Sequence, residues 1–123
     1  MTFETDRKRA LGLGSARRGT EHFWSMTVSS VGLLILVPLF VFTFGPMLGE
    51  PHGEVVAHFS RPFPALVAAL TLAAGWMHFK NGVQVLIDDY AKGLARKALI
   101  VATACLSYAA MAVCLFSIAR MAL

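Results

Sequence analysis

The chain has 123 residues, of which 57% are apolar and 15% charged, with a net charge of +4. Soluble chains carry about 25% charged residues and about 45–50% apolar ones even with Gly counted. The balance excludes a disordered chain and a soluble enzyme domain, since so small a globule cannot hide so much apolar surface.

Residues 1–20 are charged and rich in Gly and Ser (Gly12, Gly14, Ser15, Gly19). They predict a tail over residues 1–22 that is ordered only by partners. Glu21-His22-Phe23-Trp24 marks a water interface, where Trp commonly anchors. No charged residue follows between Phe23 and Gly49. A spanning helix needs about 20 apolar residues to cross a hydrocarbon core of about 30 Å. This stretch predicts the first one, at about 23–45. It is too long for the apolar core of a signal peptide, and it is apolar all round rather than striped as in a soluble bundle.

The segment from about 45 to 63 holds Pro46, Gly49, Pro51, Gly53 and Pro62, which predicts a turn-rich loop. His52, Glu54 and His58 in it match no strong metal-site spacing and read as surface polar residues.

The next uncharged stretch runs from Pro62 to Phe79. It reaches spanning length, at about 64–88, only by continuing through His78, Lys80 and Asn81 into Val83–Ile87. Ionisable residues inside a spanning helix are costly and are functional hypotheses by default. A neutral imidazole in a membrane is a natural axial ligand for haem iron. His78 could equally bond a neighbouring helix. On a helical wheel Gly82 and Gly75 flank His78 and leave a shallow bay. Asp89 returns to within about 20° of the His78 face, about 16 Å along the axis. Tyr90 follows at the membrane boundary, where its hydroxyl could donate to a quinone carbonyl. A neighbouring carboxylate could orient the phenol or relay protons. Asp-Asp-Tyr also reads simply as a helix end with an interfacial Tyr. Lys80 lies about 200° round from His78; it either snorkels to the near interface or bends back to a haem propionate. Asn81 and Gln84 read as bridges between helices.

A third uncharged stretch, Ala98 to Ala119, predicts a helix at about 98–120. Cys105 and Cys114 fall on opposite faces of it, so they read as unpaired, buried small residues. Ala98, Ala102, Cys105, Ala109 and Ala112 form a stripe that predicts a tight helix partner, within the chain or in another subunit.

The fold class is therefore an all-α membrane protein of three transmembrane helices, with residues 23–123 as the anchor domain. Arg7, Lys8, Arg9, Arg17, Arg18, Lys92, Arg96 and Lys97 fall on one side of the membrane. Arg61 and Arg120 fall on the other. The excess puts the N-terminus in the cytoplasm and the C-terminus outside. The positive charge then serves topology and attraction to anionic lipid, and no nucleic acid is called for.

His78-Phe-Lys-Asn-Gly-Val-Gln-Val-Leu-Ile-Asp-Asp-Tyr90 resembles the signature of the hydrophobic membrane anchor subunits of succinate dehydrogenase. His78, Lys80, Gly82, Gln84, Val85, Asp89 and Tyr90 take the family's places. Gly12–Ala16 and Gly19–Trp24 look like the bacterial form. The resemblance implies that His78 is one axial ligand of a b-type haem, with the other from a companion cytochrome b anchor subunit. It implies that Tyr90 bonds ubiquinone and that Asp89 supports that site. FAD and iron–sulfur clusters would sit in a flavoprotein subunit and an iron–sulfur subunit, because this chain has no nucleotide fingerprint or Cys cluster. The location implied is the bacterial inner membrane. One position departs from the pattern. Relatives often carry a basic residue just after the Trp of the first helix, where this chain has Ser25 and Met26; Lys80 or a partner chain would take over its contact. Outside this family, the readings left are another haem-bearing anchor, a proton-coupled transporter using Asp88 or Asp89, and a structural subunit in which His78 only packs.

Overall fold

The computed structural model describes residues 5–12 and 19–123. Gly14, Ser15, Arg17 and Arg18, which entered the reading of the tail and of the charge, lie outside the described residues. The elements are α1 (Asp6–Leu11), α2 (Gly19–Phe44), a 3-10 turn (Gly45–Met47), α3 (His52–Phe59), α4 (Pro62–Tyr90) and α5 (Gly93–Ala122). Among the described residues there is no strand. Three helices are long and apolar enough to cross a membrane: 20–47, where α2 runs on through the 3-10 turn, then α4 and α5.

Each spanning helix is a few residues longer than expected. Apolar content marks the part inside lipid, while the backbone ladder continues into the polar flanks until a cap stops it. Arg61 is extended and Pro62 opens α4, where the missing proline N–H is not needed. Ala91 is extended and ends α4. Only Ala91 and Lys92 separate α4 from α5, and Gly93 (φ 62°) makes the turn, a conformation that disfavours any side chain. Pro38 sits inside α2 without ending it, as membrane helices tolerate.

Two expectations change. The tail contains a short helix, α1, whose first turn is capped by the Thr5 hydroxyl accepting from the Lys8 amide. The connection between the first two spans is also not all turn. His52–Phe59 is helical, with Phe59 buried and Glu54 in the first turn, where it favours the helix dipole. Eight residues between prolines are too few for periodicity to reveal.

α4 is the middle helix. It packs on α2 along one side and on α5 along another, and α2 and α5 do not touch each other among the described residues. α3 lies across the far end against α4 and α5, with its Phe59 ring near Phe44 of α2. The small-residue stripe of α5 is exposed along its whole length. It is not the face that meets α4, so no helix among the described residues supplies its partner. Cys105 is exposed with it, against the expectation of burial, and Cys114 is half-buried; both are free thiols.

Ala68 of α4 is fully enclosed (0% exposed). Ala68→Leu should overpack this position by about 1–3 kcal/mol. Denaturation in mixed detergent micelles should register the loss, whereas Leu34→Ala, on the outer face of α2, should change little.

Candidate functional site

α2 and α4 meet through a line of polar contacts. The Asn81 amide donates to Ser25 Oγ at 3.0 Å. His78 Nδ1 lies 3.0 Å from Ser29 Oγ. The Thr71 hydroxyl donates to its own helix at Val67 O (2.6 Å) and approaches Leu36 O across the interface (3.4 Å). Within lipid such groups must be satisfied by the protein, so each contact fixes the register of the two helices. Asn81 is 6% exposed, which makes Ser25 its necessary partner. The expectation that Asn81 bridges helices therefore holds.

His78 bonds a neighbouring helix, as one of the two readings of the sequence expects, but with only one of its nitrogens. Nε2 has no hydrogen bond among the described residues, and it is not among the enclosed unpartnered atoms. It is therefore unbonded and not fully enclosed, on a half-buried residue. Ser29 also donates to Met26 O at 3.0 Å, so its oxygen is able to accept from the imidazole.

The glycine bay takes a different shape from the one the wheel suggests. A Cβ on Gly82 would stand 3.9 Å from the end of Met26. That is ordinary van der Waals distance, so the space beside Gly82 is bordered by α2 and would admit a methyl group. Gly75 faces nothing within 4 Å and lines a groove of about 360 Å³ with Thr71, Leu72, Trp76 and Phe79.

Lys80 occupies the opposite side of α4, toward α5. Its Nζ stands 5.4 Å from the centre of the Tyr108 ring, within reach of a cation–π attraction. Ser107 beside it is 2% exposed and its hydroxyl has no partner among the described residues.

The acid–phenol pair lies in the last turn of α4. Asp88 Oδ1 accepts from Arg96 Nε of α5 at 2.7 Å, closing the two-residue connection. Asp89 has no ion pair among the described residues. Tyr90 is 82% exposed and lines an apolar groove of about 470 Å³ with Leu86, Ile87, Ala91 and Leu99. Trp24, the interface marker, is exposed near the start of α2, the end at which α4 finishes.

At the far end His52 and Glu54 are exposed, but His58 is half-buried, with its Nε2 enclosed and unpartnered. Among the described residues no three His, Cys, Asp or Glu side chains gather as a metal site. Ser29 escaped the reading of the sequence, and Ser25 entered it only as a departure from the family pattern and not as a partner of Asn81. Their signal is three to four residue spacing on one face of α2, and it becomes meaningful only once that face is known to meet His78 and Asn81.

The chain matches the family described as Succinate dehydrogenase/Fumarate reductase transmembrane subunit over residues 1–118. It is 44% identical over 123 residues to the succinate dehydrogenase hydrophobic membrane anchor subunit of Paracoccus denitrificans, covering 100% of this chain and 95% of that protein. No solved structure matches it.

The Ser25–Asn81 contact should be measurable by a double-mutant cycle with Ser25→Ala and Asn81→Ala. Unfolding in mixed micelles should give a coupling of about 0.6 kcal/mol, within a ceiling of about 1.7 for such pairs in membranes.

Proposed function

We propose that this chain, which belongs to the succinate dehydrogenase/fumarate reductase transmembrane subunit family, binds a b-type haem through His78 and forms part of a ubiquinone site through Tyr90 and Asp89. The observation that carries the reading is the arrangement of α4. One helix presents an imidazole with an open Nε2 at membrane depth and an exposed phenol beside an apolar groove at its end.

The donor set suits haem. A ligating histidine characteristically gives its other ring N–H to an acceptor, and Ser29 Oγ stands beside Nδ1. The second ligand comes from a companion cytochrome b anchor subunit, as the family resemblance implies. When bound, the haem supplies one-electron redox capacity inside the membrane. Lys80 reaches a propionate only if its side chain leaves Tyr108, and otherwise the compensating charge belongs to the companion subunit.

At the quinone site Tyr90 donates its hydroxyl to a quinone carbonyl. The groove formed by Leu86, Ile87, Ala91 and Leu99 holds the apolar part of the quinone. Asp88 is engaged with Arg96, so Asp89 is the carboxylate that orients the phenol or delivers protons. Its position at the helix end speaks against a transporter, which would carry its acid deep in the membrane.

The excess of Lys and Arg on the side of Tyr90 supports a cytoplasmic N-terminus in a bacterial inner membrane. A flavoprotein subunit and an iron–sulfur subunit then dock on that side, oxidise succinate and pass electrons to quinone at the end of α4. This chain catalyses no oxidation by itself. It anchors the complex and completes the quinone site.

In the complex purified through a tag on this chain, His78→Ala should abolish or strongly perturb the reduced-minus-oxidised haem spectrum. Tyr90→Phe should leave that spectrum intact and lower quinone reduction by about 10²–10⁴-fold if the hydroxyl acts as a proton donor. Unchanged quinone reduction in Tyr90→Phe would remove Tyr90 from the site.

A further inference from the structure

We infer that Ser29 is a positioning residue for the haem ligand: its hydroxyl holds the His78 imidazole with the proton on Nδ1, so that Nε2 is the nitrogen left to bind iron. The inference rests on the assignment of His78 as an axial ligand and adds to it a residue on a different helix.

The geometry is a short relay. His78 Nδ1 is 3.0 Å from Ser29 Oγ, and Ser29 Oγ is 3.0 Å from Met26 O one turn back in its own helix. A serine has one proton to give and two lone pairs to accept with. With its proton directed to Met26 O, its oxygen accepts from Nδ1–H and both hydroxyl valences are used. The opposite tautomer would have Ser29 donating to Nδ1 and would place the ring proton on Nε2. That N–H has no acceptor among the described residues, and an unpaired donor within lipid costs several kcal/mol. The partner of one ring nitrogen thus decides which nitrogen is metallated.

The same contact fixes the plane of the ring. Ser29 Oγ is held to its own helix backbone, and the flanking Asn81–Ser25 bond pins the two helices one turn away. The imidazole can therefore rotate little about its side-chain bonds without losing its hydrogen bond. Its Nε2 lone pair would thereby keep one direction toward a bound iron. A hydrogen bond at Nδ1–H also raises the basicity of the ligand and so favours oxidised over reduced iron.

The test uses the assembled complex, purified through a tag on this chain, with Ser29→Ala, Ser29→Thr and His78→Ala. Haem per complex, the haem reduction potential and the low-spin ferric signal are measured, and co-purifying subunits are identified by mass. Ser29→Ala should raise the potential, because the ligand becomes a weaker donor. A threefold change in the oxidised-to-reduced equilibrium corresponds to about 28 mV, at about 59 mV per tenfold for one electron. The ferric signal should shift or broaden as the ring loses its fixed plane. Ser29→Thr, which keeps the hydroxyl, should restore both. Full haem content with an unchanged potential and signal in Ser29→Ala would overturn the inference. So would equal loss of haem in Ser29→Ala and Ser29→Thr, which would reduce Ser29 to a packing residue. Haem that survives His78→Ala unaltered would instead overturn the ligand assignment itself, whatever the serine variants show.

Discussion

The polar seam between α2 and α4 is the constraint on which the rest depends. In a bilayer no hydrophobic force draws two apolar helices together, so close packing and hydrogen bonds must set their register. Here the register is written in a few side chains. Asn81 finds Ser25, His78 finds Ser29, and Thr71 approaches the Leu36 carbonyl. Gly82, between His78 and the end of the helix, faces the end of Met26. A slip of one residue would rotate α2 by about 100° relative to α4 and leave Asn81 and His78 unsatisfied in lipid. Once this seam is fixed, the other faces of α4 follow. Lys80 must turn to α5, and Phe79, Leu86 and Tyr90 are left on the side that neither helix covers.

How much of this was legible in the sequence depends on the kind of signal. The three spans were readable from charge alone, because a gap in Lys, Arg, Asp and Glu is a direct imprint of the hydrocarbon core. The spacing from His78 to Tyr90 was readable because one helix has one periodicity. Relations between helices were not. The small-residue stripe from Ala98 to Ala112 named a face fit for close approach, but not whether this chain covers it, and the structure leaves it exposed. Gly82 looked like empty space on a wheel drawn for one helix; that space is bordered by Met26 of α2. Ser29 carried no distinguishing mark, and Ser25 was marked only as a departure from the family pattern, since serine occurs widely in membrane helices for other reasons. The short α3 was hidden by its length and its flanking prolines.

The two ends of α4 are built by different physics. At the His78 level the surroundings are apolar and each polar group needs a named partner. At the Tyr90 end water is near and the contacts are looser. The Asp88–Arg96 pair is half-exposed, and such pairs contribute at most about 1 kcal/mol. Its more useful effect is selective. It commits one of two adjacent carboxylates to the connection between α4 and α5, and it leaves Asp89 unengaged beside the exposed phenol. A pair of acids that looks redundant in sequence is divided by a single guanidinium.

The histidine resolves a choice that looked exclusive. A histidine in a spanning helix reads either as a bond between helices or as a metal ligand, and here the resemblance of the surrounding motif points to the ligand. The imidazole has two nitrogens on opposite edges of a rigid ring, so the two roles can use different ones. Bonding to α2 through Nδ1 does not compete with ligation through Nε2; it is what would orient the second nitrogen. This reverses the usual inference from packing. A hydrogen bond that ties a membrane histidine to its own subunit is no argument against a cofactor on its far side, provided that the far nitrogen stays open. In this chain that nitrogen is unbonded among the described residues and not fully enclosed, and the packing contact and the proposed ligand are then parts of one arrangement.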